Sequence, residues 1–374
     1  GKLIWINAVS IGEALSIIPI IKRIEKEYPK CKILLTTSTL TSKKLIEKRS
    51  LNVIHQFSPV DISFVVIRFL NYWKPNISIT VESEFWPNLI LEAKKKKITS
   101  LLINARISNK SFLRWNRLKG SVNNIFNSFS LCLTQDNESG NRLKLLGVKK
   151  ILDYGNLKFF SKSLPFNIDH FNSFKKELNK KFVLLIASSH RGEEKMLISI
   201  HERIKAKIPN VLFVILPRHA HRSSEIQKIL SMYKKKYTVR SKNEKIKKDT
   251  EFYLADTFGE TNLFFNISQI TIIGGSIIKH GGQNPIEPSF SNTAVLFGPH
   301  MFNFKNISEQ LINKSAAIRF ENEKDLLEKI IKLKNNKNLR SELSKNLKIF
   351  CKKEREKEEK FWSKINHYLK QVLK

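Results

Sequence analysis

The sequence predicts an α/β protein of two parallel-sheet domains of similar size, and three observations predict it. Short apolar runs alternate with segments of helical length almost from the first residue, and strands separated in this way are joined by crossovers into a parallel sheet. The runs form two series, on either side of a mixed stretch at 161–172 that carries Pro165. Finally, 374 residues at 41% hydrophobic composition are enough to bury a core in each of two domains.

In chain order, the first strand is expected at 3–8, followed by a tight turn at 9–12 and a helix from Glu13 to about Tyr28, which Pro29 closes. Further strands are expected at 32–37, 53–57, 77–81, 100–103, 131–134 and 151–154. A connection near 156–175 precedes the second series, at 182–187, 211–216, 237–240, 270–273 and 294–297. The segment 321–374 reads as a charged, covering helix pair, with Phe350, Phe361, Trp362, Ile365 and Leu369 as its apolar stripe. No internal repeat or low-complexity segment stands out.

Charge narrows the partners. There are 67 Lys+Arg against 33 Asp+Glu, a formal net charge of +34. Such a surface attracts anions, whether a nucleic acid, an anionic leaflet or a phosphorylated substrate. Lysine far outnumbers arginine, which fits a lysine-rich composition better than a specific nucleic-acid reader, since base readout leans on arginine. The 3 cysteines are Cys31, Cys132 and Cys351, with no Cys-x-x-Cys pair, so a zinc ribbon is excluded and a reducing compartment is expected. No apolar run reaches the roughly 18 residues of a membrane span.

In open parallel sheets, ligands bind beyond the carboxyl ends of the strands, so unusual residues there are the candidates for chemistry. Glu13 follows the first strand in Ser10-Ile11-Gly12-Glu13. It reads either as a helix-capping carboxylate or as a base placed where strand, turn and helix meet. Glu82 and Glu84 lie in Glu82-Ser83-Glu84-Phe85-Trp86-Pro87-Asn88, just past a buried strand, with Asn104-Ala105-Arg106 closing the next one. Lys158 ends the first series in Gly155-Asn156-Leu157-Lys158; alone it is one solvated lysine among many.

The second series carries Ala187-Ser188-Ser189-His190, Pro217-Arg218-His219, Asp256-Thr257-Phe258-Gly259-Glu260 and Gly274-Gly275-Ser276. Gly281-Gly282-Gln283-Asn284-Pro285-Ile286-Glu287 follows. Arginine forks onto phosphate, and glycines let backbone amides approach an anion. A helix is expected to start at Pro285, with its positive end toward that anion and Glu287 free to accept from ribose hydroxyls. Each piece alone reads as a turn or a cap; together they point to a nucleotide. The segment matches neither a Walker loop nor a Gly-x-Gly-x-x-Gly fingerprint. His219 and His221 have no cysteine or acidic neighbour in sequence, so no metal site is expected there.

Taken together, these residues resemble one family, the 3-deoxy-D-manno-octulosonic acid (Kdo) transferases of lipopolysaccharide synthesis. The carriers are Trp5-Ile6-Asn7-Ala8-Val9-Ser10-Ile11-Gly12-Glu13, the Glu82–Asn88 tip continued by Leu89-Ile90, Asn104-Ala105-Arg106-Ile107-Ser108 and Gly155-Asn156-Leu157-Lys158-Phe159. The second half adds the segments around Pro217, Asp256 and Gly281, then Gly298-Pro299-His300 and Asn303-Phe304-Lys305. The likeness covers nearly the whole chain, with the motifs in the right order.

The resemblance implies a GT-B architecture, two Rossmann-like domains facing a central cleft. It also implies metal-independent, inverting transfer of Kdo from CMP-Kdo to the lipid A precursor, with no cofactor. On its pattern Glu13 is the general base, and Glu82 and Lys158 stabilise the transition state. Pro217 and Arg218, Phe258-Gly259-Glu260 and Asn284-Pro285-Ile286-Glu287 match its CMP-binding segments. The expected domains are 1–157 for the acceptor and 158–345 for the CMP-sugar, with 346–374 a charged helix packing back on the body. The sequence departs from the pattern at Asn7, where a His is usual, at Gln283, also for His, and at Arg191, for Glu.

Family members act at the cytoplasmic face of the bacterial inner membrane and carry an N-terminal anchor; with Gly1 first, this chain is expected to lack it. Phe112-Leu113-Arg114-Trp115-Asn116-Arg117 is the expected membrane-facing patch toward the anionic leaflet, if it is not simply a partly buried helix with solvated arginines. Two rivals remain: a GT-B transferase or epimerase with another sugar nucleotide, and a nucleic-acid-binding protein. The second lacks a recognition helix or a basic groove with stacking aromatics, so no nucleic acid is expected among the partners.

Overall fold

A computed structural model describes residues 1–47, 51–118, 120–160, 168–178 and 180–373. The chain forms two compact units, Gly1–Ser161 with Glu354–Lys374, and Lys162–Lys353. Lys158, which the sequence reading put first in the second domain, lies in the first unit. Residues 161–167, with Pro165, are outside the described residues.

The first unit is built on β1 (Leu3–Asn7), β2 (Lys32–Thr37), β3 (Ile54–Phe57), β4 (Ile77–Val81), β5 (Thr99–Ala105), β6 (Leu131–Thr134) and β7 (Ile151–Asp153). They pair in the order β3-β2-β1-β4-β5-β6-β7, all parallel. Every residue of β1 and β4 is buried. Helices cover both faces of such a sheet, so its central strands read as unbroken apolar runs instead of alternating ones. The strand order reverses between β1 and β4, which opens a crevice at their carboxyl ends.

The second unit carries β8 (Phe182–Ser189), β9 (Val211–Pro217), β10 (Tyr237–Val239), β11 (Phe252–Leu254), β12 (Ile270–Ile273), β13 (Ala294–Phe297) and β14 (Ile318–Arg319). Their order is β10-β11-β9-β8-β12-β13-β14, again all parallel, with the reversal between β8 and β12. Two of these strands escape the sequence reading. β11 has 3 residues and β14 has 2, too short for a periodic signal.

The charged C-terminal segment is not a helix pair but three helices, Glu323–Asn335, Lys337–Arg355 and Lys357–Leu373. The last of these belongs to the first unit and buries Phe361, Trp362, Ile365 and Leu369, the expected stripe; Phe350, on the preceding helix, is half-buried. Its polar edge is also tied down. Arg23 grips Glu359 through two bonds of 2.6 and 2.7 Å, Trp362 donates to Glu27 at 3.2 Å, and Tyr368 donates to the Ser130 carbonyl at 2.9 Å. Among the described residues, Cys31, Cys132 and Cys351 form no disulfide. Among the described residues, no helix is long and apolar enough to cross a membrane.

Candidate active site

In the first unit, the loops after β1, β4 and β7 supply the carboxylates and the lysine that the sequence singles out. Ser10 is the N-cap of helix α1 (Ile11–Glu27), with extended backbone, and its hydroxyl accepts the Glu13 amide at 3.3 Å. Glu13 closes a variant of the capping box in return, one carboxylate oxygen accepting the amide of Val9, the residue before the N-cap, at 2.8 Å and the other the Ser10 hydroxyl at 2.9 Å. The capping reading is therefore realised. It does not exhaust Glu13, because Glu84 and Glu82 stand close enough to act on the same carboxyl. Burial first, then repulsion from Glu84 and Glu82, push the Glu13 carboxyl up to about 7, against the two capping bonds.

Glu82 follows β4 with left-handed backbone (φ 61°). That conformation is uncommon for a residue with a long side chain and is held here by neighbours. Asn104 donates to Glu82 at 3.2 Å, and Lys158 and Arg106 lend positive charge; burial outweighs these and raises the carboxyl above its ordinary range. Lys158 is half-buried, and desolvation lowers its ammonium from the usual lysine value although Glu82 and Glu13 oppose the shift. Two carboxylates, Glu13 and Glu82, and a lysine thus share one strand-end cluster, each with a perturbed affinity for protons. Glu84 accepts from the Trp86 indole and is likewise raised by burial.

In the second unit, the loops after β8 and β12 meet at the strand reversal. The Glu193 carboxylate holds them together by accepting the backbone amides of His190 (2.9 Å), Gly275 (2.8 Å) and Ile277 (3.1 Å). Gly274 is required there, because a Cβ would sit 2.2 Å from the Ser188 carbonyl oxygen. Below it, fully buried Glu194 takes two bonds from Arg222 (2.8 and 3.2 Å) and one from the Ser189 hydroxyl (2.7 Å). Sequence reasoning missed both glutamates and Arg222. Their signal is an acidic pair opening a helix directly after an apolar strand, which also reads as ordinary first-turn acid.

Burial, His280, His219 and two arginines lower His190 to about 4, so its ring is neutral at pH 7. The Gln283 amide sits 2.9 Å from His190 Nε2 and donates to it, which fixes the proton on Nδ1. Gln283, a departure from the family pattern, therefore has a partner in this fold. Arg191 forks onto Glu225 at 2.9 and 3.0 Å on the surface. Asn7 accepts from Thr36 and Ser58 at 2.8 and 2.9 Å, while its amide nitrogen is buried without a partner among the described residues.

The CMP-site candidates lie along the same carboxyl edge. Pro217 ends β9, and exposed Arg218 anchors its amide on the Ser189 carbonyl at 3.0 Å. Phe258 is 94% exposed, Gly259 has φ 87°, and Glu260 is locked by Arg240 through bonds of 3.0 and 2.7 Å. Glu260 is thereby held below the usual carboxylate range, chiefly by Arg240. No helix starts at Pro285; instead Glu287–Phe290 is a four-residue 3-10 turn. Asn284 caps this approach, accepting the Ile286 amide at 3.2 Å and donating to exposed Glu287 at 3.3 Å. Arg218 lends positive charge to Glu287.

His219 and His221 stack at 5.4 Å between ring centroids. The His201, Glu202 and Glu251 group has metal-ligand spacing, but its carboxylates are already paired with Lys235 and Lys205. The expected membrane patch is the helix Asn109–Asn116 and Arg117. Its aromatics turn inward, Phe112 and Trp115 packing on the core, which leaves Leu113, Arg114 and Arg117 exposed.

Residues 1–161 match the family described as 3-deoxy-D-manno-octulosonic-acid transferase (kdotransferase). The 3-deoxy-D-manno-octulosonic acid transferase of Haemophilus influenzae is 33% identical over 347 residues, 91% of this chain and 81% of its own. The enzyme of the same name from Rickettsia felis is 33% identical over 331 residues, 88% of this chain and 71% of its own. A glycosyltransferase structure from Rickettsia africae superposes with a TM-score of 0.64 at 14% identity, covering 100% of this chain and 98% of that one. The fold is that of the GT-B glycosyltransferases, and the chain belongs to the 3-deoxy-D-manno-octulosonic acid transferase family.

Proposed function

We propose that this protein is a glycosyltransferase that moves Kdo from CMP-Kdo to a lipid A precursor, with inversion at the anomeric carbon. The observation that carries the reading is the Glu13 carboxyl, poised at about 7 beside Glu82. A base works best when its affinity for protons matches the working pH. Glu13 takes the proton from an acceptor sugar hydroxyl as that oxygen attacks the anomeric carbon. The bond from that carbon to the phosphate oxygen of CMP breaks, and CMP leaves with the electron pair. Glu82 and Lys158 flank a centre that gains positive charge at carbon and negative charge at the leaving phosphate. Because Lys158 supplies the cation, the transfer is read as metal-independent, and no cofactor is invoked.

Unit 2 holds the donor in this reading. Arg218, beyond Pro217, meets the phosphate; the backbone of Phe258-Gly259-Glu260 and of Asn284-Pro285-Ile286 closes around it, and Glu287 takes the ribose hydroxyls. The arginine pair Arg114 and Arg117, with Leu113, docks unit 1 on the anionic cytoplasmic leaflet of the bacterial inner membrane, where a phosphorylated lipid acceptor lies.

The test is incubation with CMP-Kdo and a tetra-acylated lipid A precursor, following CMP release and the anomeric configuration of the new linkage by NMR, beside binding of CMP and UDP. CMP binding with an inverted Kdo product is expected. Preference for UDP, or a product of retained configuration, would overturn the reading.

A further inference from the structure

Three strand ends of the first sheet pass through left-handed backbone: Glu82 after β4 (φ 61°), Asn104 in β5 (φ 53°) and Gly155 after β7 (φ 79°). Glycine adopts this freely and asparagine readily, whereas Glu82 holds it only because contacts over-determine it. At Asn104 the contacts are complete on three sides, in a residue with no exposed surface. Its amide nitrogen donates to Glu82 Oε1 at 3.2 Å, its side-chain oxygen accepts the Leu157 amide at 3.0 Å, and its carbonyl accepts Gln135 Nε2 at 2.9 Å.

The chain of amides continues. Gln135 Oε1 accepts Asn156 Nδ2 at 2.8 Å, and Asn156 Oδ1 accepts the backbone amide of Lys158 at 2.9 Å. Three neutral side chains therefore link the Glu82 carboxylate to the turn that carries Lys158, by a direct bond to Leu157 and by a second route through Gln135 and Asn156. None of them titrates, so the frame does not loosen when a proton moves. Buried polar networks whose members are all satisfied rigidify the groups they hold.

We infer that Asn104 is a positioning residue for the transfer, with Gln135 and Asn156 as its support: it occupies one oxygen of Glu82 and fixes the Leu157–Lys158 backbone at once, so that the carboxylate and the lysine meet the reacting carbon as a unit. The inference rests on the roles proposed above for Glu82 and Lys158.

Asn104→Asp separates this role from simple loop packing. It keeps the oxygen that accepts the Leu157 amide and tolerates left-handed backbone, but puts a second carboxylate where Glu82 had a donor. At pH 7 the expected result is a roughly tenfold lower kcat, the order of losing one hydrogen bond to a charged group, with KM for CMP-Kdo unchanged within about twofold. The acid limb of kcat should also move to higher pH, since Glu82 then ionises less readily. Gln135→Met keeps the donor to Glu82 and removes the support, so kcat falls without movement of the limb.

Glu82→Gln is measured alongside. If it is impaired while Asn104→Asp has wild-type kcat and limb, the positioning role is overturned and the Glu82 assignment stands. If Glu82→Gln is itself fully active, the assignment falls and the positioning role with it. Should Asn104→Asp fail to fold by circular dichroism, Gln135→Met decides, and an unchanged kcat overturns the proposal.

Discussion

Ser10 and Glu13 hydrogen-bond each other in both directions, the Glu13 amide donating to the Ser10 hydroxyl at 3.3 Å and that hydroxyl donating to the Glu13 carboxylate at 2.9 Å. One residue thus caps a helix and carries the carboxylate proposed as the base. The two duties separate under substitution, because glutamine also serves in a capping box. The unfolded carboxyl ionises near 4.5 and the folded one near 7, so the folded state binds more protons between those values. Stability from this group is greatest below pH 4.5, falls as pH rises to 7 and stays lowered above it. Glu13→Gln should therefore be more stable than the wild type at about pH 8, by an amount on the order of 3 kcal/mol, with the gap narrowing to under about 1 kcal/mol near pH 5. Urea unfolding at the two pH values checks this; a gap that does not change with pH would contradict it.

Activity has the opposite pH sign. The base must be ionised, so kcat/KM should fall as pH drops through about 7. Glu84 is the larger of the two like charges that raise Glu13. Glu84→Gln should accordingly shift the acid limb to lower pH, and high salt should shrink the shift. A limb that does not move would mean that Glu84 does not act on the base.

Arg222 neutralises Glu194, whose side chain is 0% exposed. Arg222→Ala leaves a buried carboxylate with the Ser189 hydroxyl as its remaining side-chain partner among the described residues, and should destabilise the second unit by about 3–5 kcal/mol. Denaturation within about 0.5 kcal/mol of the wild type would show that this pair does not hold the loop after β8.

The Arg114→Ser, Arg117→Ser double variant removes two exposed cations beside exposed Leu113. Its binding to vesicles containing anionic lipid should weaken by roughly thirtyfold, about 1 kcal/mol for each of the two basic residues at a charged leaflet. Equal binding by the variant and the wild type would remove this face from any role in docking.

Much of this was legible beforehand, for physical reasons. Strands such as β1 and β4 are buried on both faces and announce themselves as apolar runs, and Glu13, Glu82 and Lys158 stand at strand ends where parallel sheets put their chemistry. What escaped depends on long-range pairing. β11 and β14 exist because neighbouring strands offer them an edge, not because 2 or 3 residues carry a pattern. Pro285 suggested a helix start, yet the chain makes only a 3-10 turn from Glu287. The aromatic residues of the 112–117 segment looked available to a membrane, but Phe112 and Trp115 have the core as their partner. Apart from the local bond between Asn156 and the Lys158 amide, the Asn104, Gln135 and Asn156 links span 21 to 53 residues of sequence, which no local spacing could reveal.

The central claim is tested most directly by giving CMP-Kdo and a tetra-acylated lipid A precursor to the wild type and to Glu13→Gln side by side, and following the product by mass. The account predicts a Kdo-bearing product from the wild type and none from the variant, while both bind CMP alike. A variant that transfers Kdo at the wild-type rate would contradict it.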